Sequence, residues 1–113
     1  MKTVLTLCFV LAFQLADAQI IKTSLTLTVR DELGNTVEGA EVKLYETEAD
    51  YLAEKNPAAE AIADKKGVVK FKDIKAAAFY VLARKGDKDN AGGGEQIGKL
   101  EANKFNKATV VIQ

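Results

Sequence analysis

The segment SLTLTVR, residues 24–30, alternates polar and apolar side chains without a break. A period of two places Leu25, Leu27 and Val29 on one face of an extended chain, and β-branched residues favour that conformation. The segment therefore predicts a strand with one buried face and one solvated face.

The same alternation recurs along the chain. Residues 40–45, AEVKLY, repeat it with Ala40, Val42 and Leu44 inward, after a turn at 31–35 that contains Gly and Asn. Short alternating or apolar runs bounded by turn residues predict further strands at 60–63, 68–72, 79–84, 96–100 and 107–112. A hairpin turn is predicted at 64–67. About seven closely spaced strands are typical of a β-sandwich rather than of βαβ units, so the predicted fold class is all-β.

One apolar face per strand defines the predicted core between two sheets. Residues 79–84 are apolar on both faces, which predicts a central strand covered on both sides at its start. The predicted core consists of Leu25, Leu27, Val29, Val42, Leu44, Ile62, Val69, Phe71, Phe79, Val81 and Val110.

A short helical insertion is predicted near residues 47–55. Thr47 is a suitable N-cap, and acidic residues follow it in the first turn. Asn56-Pro57 should end the helix, because the residue before a proline avoids helical geometry. A helix this short needs tertiary contacts, which Tyr51 or Leu52 would provide. The alternative is an irregular loop.

The first 18 residues have the three parts of a secretory signal peptide: Lys2 near the start, an uncharged apolar run at 3–13, and small residues at Ala16 and Ala18. The run is shorter than the roughly 20 residues that a membrane anchor needs. Cys8 follows Leu7, where a lipoprotein signal needs a small residue. Cleavage is therefore predicted after Ala18, leaving residues 19–113 as a single secreted or periplasmic domain with no membrane insertion.

Composition excludes several kinds of chemistry. The chain has no histidine, and its one cysteine, Cys8, lies in the predicted signal peptide. Ser-His-Asp catalysis, Cys-His catalysis and the usual zinc or copper ligand sets are therefore excluded. Sixteen basic residues balance sixteen acidic ones, so the net charge of zero disfavours binding to nucleic acid. The sequence predicts no enzyme, no cofactor and no catalytic or metal-binding residue.

Residues 85–95, KGDKDNAGGGE, form the most polar and glycine-rich stretch and are predicted to be a mobile loop. Asp87, Asp89, Asn90 and Glu95 are oxygen donors of the kind that calcium accepts. Their spacing fails the EF-hand pattern and Lys88 interrupts them, so a solvated polar loop is the preferred interpretation.

Two spaced patterns resemble the carboxypeptidase regulatory-like domains over roughly residues 22–84. The first is Val29-Arg30-Asp31-x-x-Gly34-Asn35-x-Val37-x-Gly39-Ala40-x-Val42, and the second is Ala63-Asp64-x-x-Gly67-x-Val69-x-Phe71-x-x-Ile74, followed by Phe79-x-Val81-x-Ala83. Ala77-Ala78 stands where that family usually has Pro-Gly. The resemblance implies an Ig-like or prealbumin-like (transthyretin-like) sandwich that serves as a non-catalytic accessory or secreted binding module.

One enzyme family, the hydroxyisourate hydrolases, shares the transthyretin-like sandwich. Those enzymes rely on His and Arg residues and on a Tyr-Arg-Gly-Ser ending. Because this chain has no histidine and residues 109–113 are TVVIQ, that activity is not expected here.

Two functions remain open from the sequence. The preferred one is an interaction module at the cell envelope that binds a protein or glycan through loops or a free sheet edge. The alternative, implied by the resemblance to transthyretin, is a small-ligand carrier with an apolar pocket. Tyr45, Tyr51 or Tyr80 clustered on one exposed face would favour the module, whereas an internal cavity would favour the carrier.

Overall fold

The computed structural model describes residues 21–113, so the predicted signal peptide and its cleavage site lie outside the described residues. Residues 21–113 form eight strands and one helix. In chain order these are β1 (Ser24–Asp31), β2 (Glu41–Tyr45), α1 (Glu48–Ala53), β3 (Ala59–Ile62), β4 (Val68–Phe71), β5 (Phe79–Lys85), β6 (Lys88–Asp89), β7 (Gln96–Ile97) and β8 (Phe105–Ile112).

The strands form two sheets that pack face to face, which confirms the predicted all-β sandwich. One sheet has three strands in the order β4-β1-β8, and the other has five, with β3-β2-β5-β6 in sequence and β7 also paired with β5. The predicted hairpin at 64–67 is wrong in one respect, because β3 and β4 belong to different sheets. The turn crosses from one sheet to the other, and Gly67 takes the positive φ of 74° there.

Most strand pairs are antiparallel, but the first and last strands run parallel. Eight residue pairs join β1 to β8, from Ser24 opposite Phe105 to Asp31 opposite Ile112. β4 pairs antiparallel with the other side of β1, with Leu25 opposite Phe71. Strand β1 is therefore the centre of its sheet, which agrees with its regular alternation of buried and partly exposed residues.

The core lies between the inner faces of the two sheets, as the alternation predicts. Ten of the eleven predicted core residues are buried there, joined by Ala40, Ala63, Ala83, Leu100 and Ile112. The predicted strand at 96–100 is shorter than expected, but Leu100 still reaches the core beyond its end.

The prediction for the eleventh core residue, Ile62, is wrong, since 67% of its surface is exposed. In β3 the inward positions are held by Ala59 and Ala61, which pack against the core. Ala61 lies opposite the buried Val42, whereas Ile62 lies opposite the exposed Glu41. Alanine and isoleucine are both apolar, so alternation alone did not reveal which face of β3 is buried.

The predicted helix is confirmed, with Thr47 as its N-cap: the Thr47 hydroxyl accepts a hydrogen bond from the Asp50 N–H at 3.1 Å. The helix ends earlier than predicted. Glu54 adopts a left-handed conformation (φ 53°), and its N–H bonds to the carbonyls of Asp50 and Tyr51. Asn56-Pro57 therefore lies beyond the helix, in the segment that returns to β3.

Candidate functional site

Helix α1 packs on the outer face of the five-stranded sheet, across β2 and β5. That face carries the outward side chains of both strands, with Tyr45 opposite Tyr80 and Lys43 opposite Leu82. Because the helix covers part of it, Tyr45 is fully buried and Leu82 nearly so. The sheet is thus covered on both sides along β5, as its two apolar faces predict.

Three tyrosines meet under the helix and form the tyrosine cluster, Tyr45, Tyr51 and Tyr80. The Tyr51 ring stacks on Tyr80 at a centroid distance of 5.7 Å and meets Tyr45 edge to face at 6.1 Å. Tyr51 and Tyr80 remain partly exposed. Of the two docking residues considered for the helix, Tyr51 provides the contact and Leu52 points outward with 72% of its surface exposed.

The Tyr51 hydroxyl links the helix to the glycine-rich loop. It donates a hydrogen bond of 2.8 Å to Glu95 Oε1, while Glu95 Oε2 accepts from the Gly92 N–H at 3.0 Å. Burial, this hydrogen bond and nearby acidic groups raise the pKa of Tyr51 to about 12. The Gly92 N–H and the Tyr51 hydroxyl hold the pKa of Glu95 below its usual value.

A bidentate ion pair fixes the end of the helix to β5. The two terminal guanidinium nitrogens of Arg84, Nη1 and Nη2, each donate to one oxygen of the Glu54 carboxylate at 3.1 Å. The pair lowers the pKa of Glu54 and raises that of Arg84. The fork-to-fork geometry orients both groups, so the left-handed Glu54 cap also anchors the helix.

Tyr45 sits deepest in the tyrosine cluster. Its hydroxyl is buried and has no hydrogen-bond partner among the described protein atoms. Burial, followed by the charges of Glu54 and Glu60, raises its pKa. An unpartnered buried hydroxyl costs stability, so the ring must contribute chiefly through packing.

The glycine-rich loop is organised around a buried side chain that the sequence did not reveal. Asn90 is fully buried, and its amide nitrogen donates to the carbonyls of Val81 at 2.8 Å and Gly94 at 3.0 Å. Its side-chain oxygen accepts from the Ala83 N–H at 2.9 Å. The Asn90 side chain therefore makes the backbone hydrogen bonds of β5 that a neighbouring strand would make, at the point where the short β6 ends.

Three of the four oxygen donors proposed for calcium make hydrogen bonds within the fold, and the fourth, Asp87, is exposed. Asp89 accepts from the Ala91 N–H, Glu95 bonds Tyr51 and Gly92, and Asn90 points inward. Within residues 21–113, three or more His, Cys, Asp or Glu side chains nowhere group closely enough to hold a metal ion.

The outer face of the three-stranded sheet carries no helix among the described residues. One cross-strand row holds Lys70, Thr26 and Lys107, and the next holds Val68, Thr28 and Thr109. Phe105, at the start of β8, is 74% exposed. The strands of this face present hydroxyls, cations and one exposed aromatic ring to solvent.

A cleft of about 240 Å³ opens at one end of the sandwich. Leu44, Ile74 and Phe79 line it together with Glu46 and Lys75, which form an ion pair at 3.1 Å. Ligand pockets in proteins usually measure about 300–1,000 Å³, so the cleft is small for a carrier site.

Solved structures with a similar fold include two pilus proteins and the TIE protein. The Bacillus anthracis TIE protein aligns with a TM-score of 0.56 and 17% identity, covering 82% of this chain and 16% of that one. BcpA, the major pilin subunit of Bacillus cereus, gives 0.56 and 18%, covering 81% and 30%. The group B streptococcus pilus 2b backbone protein gives 0.52 and 14%, covering 80% and 40%.

These proteins share the fold. At 14–18% identity the likeness extends no further, and the chain spans less than half the length of each of them. No family model matches the sequence, and no curated protein does. The neighbours support an Ig-like β-sandwich, whereas the narrower resemblance to carboxypeptidase regulatory-like domains is not confirmed.

No helix within residues 21–113 is both long enough and apolar enough to cross a bilayer.

Proposed function

We propose that the chain is a secreted, non-catalytic β-sandwich module that binds a protein or glycan at the cell envelope. The observation that carries the proposal is the tyrosine cluster beneath α1, where Tyr51 and Tyr80 stack and remain partly exposed. The exposed Leu52 lies on the same helix. Aromatic side chains held rigidly beside an apolar residue are the usual anchors of protein interfaces.

We call the surface formed by Tyr51, Leu52 and Tyr80 the helix surface, and two contacts make it rigid. The Tyr51–Glu95 hydrogen bond fixes its middle, and the Glu54–Arg84 pair fixes its end. A surface that is ordered before binding loses little conformational entropy when a partner arrives. The insertion between β2 and β3 is therefore suited to recognition.

The absence of catalysis follows from the residues available. Without histidine, an activated Ser or Thr would need another base of near-neutral pKa. We predict no tight binding of transition metals, because imidazole and thiolate are lacking after Cys8. Calorimetric titration of the purified protein with zinc tests this, and micromolar binding would contradict it.

The proposed location rests on the predicted signal peptide at residues 1–18, with the folded module at 19–113. Intact-mass measurement of the exported protein should give a chain that begins at Gln19. A mature chain that retains Met1 or carries lipid on Cys8 would contradict the location. An envelope or extracellular location is consistent with the pilus proteins that have a similar fold. The resemblance to carboxypeptidase regulatory-like domains remains part of the proposal.

The carrier alternative has less support. Its favourable observation would be an internal cavity. The cleft beside Leu44 and Phe79 is open and only about 240 Å³, and the larger depressions, of about 410 Å³ beside Phe105 and about 440 Å³ beside Val68, are open surface features. Titration with a fluorescent apolar probe would detect a carrier site. Saturable binding that Phe79→Trp blocks would favour the carrier over the interaction module.

Affinity capture with paired variants tests the interaction module. The purified protein is used as bait in extracts of the envelope and medium of its native organism. Leu52→Asp should abolish capture of a partner because it places a charge on the helix surface. Leu33→Asp is the matched control: Leu33 is 84% exposed, in the turn after β1.

Capture lost equally in both variants would contradict the helix as the binding surface, and so would capture retained in both. Protease treatment of the extract separates the two partner classes, because a glycan survives it and a protein does not.

A further inference from the structure

Strand β8 leaves part of its backbone unpaired along one edge of the three-stranded sheet. In a parallel pair, alternate residues direct their N–H and C=O groups to the neighbour. The Lys104 carbonyl accepts from Ser24, whereas the Val111 N–H donates to Gly93, away from β1. Phe105, Lys107 and Thr109 share the direction of Val111, and their backbone groups have no partner among the described residues.

Strand β3 leaves a shorter edge unpaired on the five-stranded sheet. The Ala63 N–H donates to the Ala40 carbonyl at 2.8 Å, so Ala59 and Ala61 also direct their backbone groups to β2. Glu60 and Ile62 direct theirs outward, where no described residue pairs with them. Unpaired strand edges are templates for pairing with another chain.

The side chains on these two edges are complementary. Phe105 and Lys107 occupy alternate positions of β8 on the outer face, and Ile62 and Glu60 occupy alternate positions of β3 on the outer face. Phe105 and Ile62 are two of the five large hydrophobic residues that the described chain exposes. Each edge thus pairs one exposed apolar side chain with one exposed charge, and the two charges are opposite.

We propose that β8 of one copy of this chain pairs antiparallel with β3 of a second copy, with Lys107 opposite Glu60 and Phe105 opposite Ile62. In this register the two residues of each pair direct their N–H and C=O groups at one another. Each pair therefore exchanges two N–H···O hydrogen bonds. Their side chains then meet on one face of a continuous sheet, where opposite charges and apolar pairs stabilise pairing.

Other registers lose this match. A parallel arrangement sets each edge-directed residue opposite one whose backbone groups point away, as Ser24 and Phe105 are in β1 and β8, so Phe105 would lie opposite an alanine of β3. An antiparallel shift of two residues in either direction leaves both Ile62 and Glu60 without their complements. Both complementary edges belong to this chain, so a second copy carries the edge that matches each of them.

The contact joins two different edges, so it is heterologous and each copy keeps one free edge of each kind. Such contacts build open chains of copies rather than closed dimers. The proposal goes beyond binding through the helix surface and uses neither α1 nor the tyrosine cluster. A failure of self-association therefore leaves the proposed partner binding untouched.

Sedimentation velocity over a range of protein concentrations tests the pairing. The wild-type chain should sediment faster as its concentration rises. Lys107→Glu and Glu60→Lys should each weaken association about 3- to 10-fold, because each places like charges opposite one another. The doubly exchanged variant, Lys107→Glu with Glu60→Lys, should restore it. Lys70→Glu, on the opposite edge strand β4 of the same sheet, is the matched control and should leave association unchanged.

Disulfide trapping tests the register. All variants carry Cys8→Ser, which removes the one native cysteine. An equimolar mixture of the Lys107→Cys and Glu60→Cys variants should form a disulfide-linked dimer under mild oxidation. The mixture of Thr109→Cys with Glu60→Cys is out of register and should form it at least several-fold more slowly.

A wild-type chain that stays monomeric at every concentration would overturn the proposal. The proposal would also be overturned if Lys70→Glu weakened self-association as much as Lys107→Glu, or if the double exchange did not restore association. Equal disulfide yields in the two cysteine mixtures would overturn it as well.

Discussion

The outer faces of the two sheets differ in what lies on them. On the five-stranded sheet, α1 buries Tyr45 completely and Leu82 almost so, and hydrogen bonds tie the helix to β5 and to the glycine-rich loop. On the three-stranded sheet, Thr26, Thr28 and Lys70 hold the equivalent outward positions and meet solvent.

The difference explains why the apolar patterns of the central strands differ. Strand β1 needs one apolar face because only its inner side is buried, and it alternates strictly. Strand β5 contains a run of three buried residues, Val81, Leu82 and Ala83, because it is covered on both sides. An insertion of a dozen residues thus turns a solvated sheet face into a second, smaller apolar layer.

If the residues under α1 form a true core, truncating one of their side chains should lower the free energy of unfolding as much as truncating a side chain between the sheets. Tyr45→Ala and Phe71→Ala should each lower the free energy of unfolding by about 3–5 kcal/mol, since both remove a buried aromatic ring. Chemical denaturation measures the two losses under the same conditions.

Lys70→Ala on the bare face is the control and should change the free energy of unfolding by less than about 0.5 kcal/mol. A Tyr45→Ala loss as small as that of Lys70→Ala would mean that the helix does not form a packed layer. An unchanged midpoint for Phe71→Ala would contradict the strand register itself.

Asn90→Ala should have the next largest effect, on the loop beside the covered face. It removes the partners of Ala83, Val81 and Gly94 at once, and we expect a loss of roughly 2–4 kcal/mol. Denaturation measures the loss, and hydrogen exchange should show faster exchange in β5 and residues 88–97. Asp87→Ala, at an exposed position of the same loop, should leave both unchanged; similar losses in the two variants would contradict the role of Asn90.

Tyr51→Phe tests the link between the helix and the loop. The lost hydroxyl bond to Glu95 should cost about 1 kcal/mol near neutral pH. Because the folded-state pKa of Tyr51 is about 12, above the ordinary value of 10, the folded state retains its proton longer than the unfolded state. This contribution to stability is complete below about pH 10 and is lost as the pH rises through about 12.

Ultraviolet absorbance during an alkaline titration follows this ionisation, and Tyr51→Phe should remove the latest-titrating step near pH 12. The Tyr80→Phe variant serves as the comparison. An unchanged high-pH step in Tyr51→Phe would assign it to another tyrosine.

The smallest effect concerns the exposed pair of Glu54 and Arg84. The pKa of Glu54 lies below its usual value, so its contribution to stability is present near neutral pH and is lost as the pH falls below about 4. Glu54→Gln should therefore lower the denaturation midpoint slightly at neutral pH, and this loss should shrink as the solution is acidified. Glu38→Gln, with the same change of charge at an exposed loop position, should show no such loss, and an equal loss would point to a general effect of net charge instead.

Strand positions and the sandwich could be predicted because each strand carries its own two-residue period. The helix start was predictable too, since Thr47 is a local signal. Ile62 could not be placed correctly, because β3 offers alanine on one face and isoleucine on the other, and only the approach of β2 decides between them.

The surface features were less predictable because they depend on contacts between distant residues. Tyr51 and Glu95 are 44 positions apart, and Glu54 and Arg84 are 30 apart. Nothing local marks Asn90 as buried, since it lies among polar and glycine residues that favour a loop. The three tyrosines could be named from the sequence as possible interaction residues. Their mutual packing could not be predicted, because it depends on how the helix docks on the sheet.

The parallel pairing of the first and last strands determines how the domain responds to tension. The chain enters the three-stranded sheet at Ser24 and leaves it at Ile112, at opposite ends of the same pair of strands. A force that pulls these ends apart acts along the strands, over roughly 23 Å, and strains the hydrogen bonds of all eight residue pairs together. A hairpin pulled from its open end would break one pair at a time. In this domain the force instead shears all the pairs at once. The lifetime of the folded state under load is then set by the rate constant of unfolding.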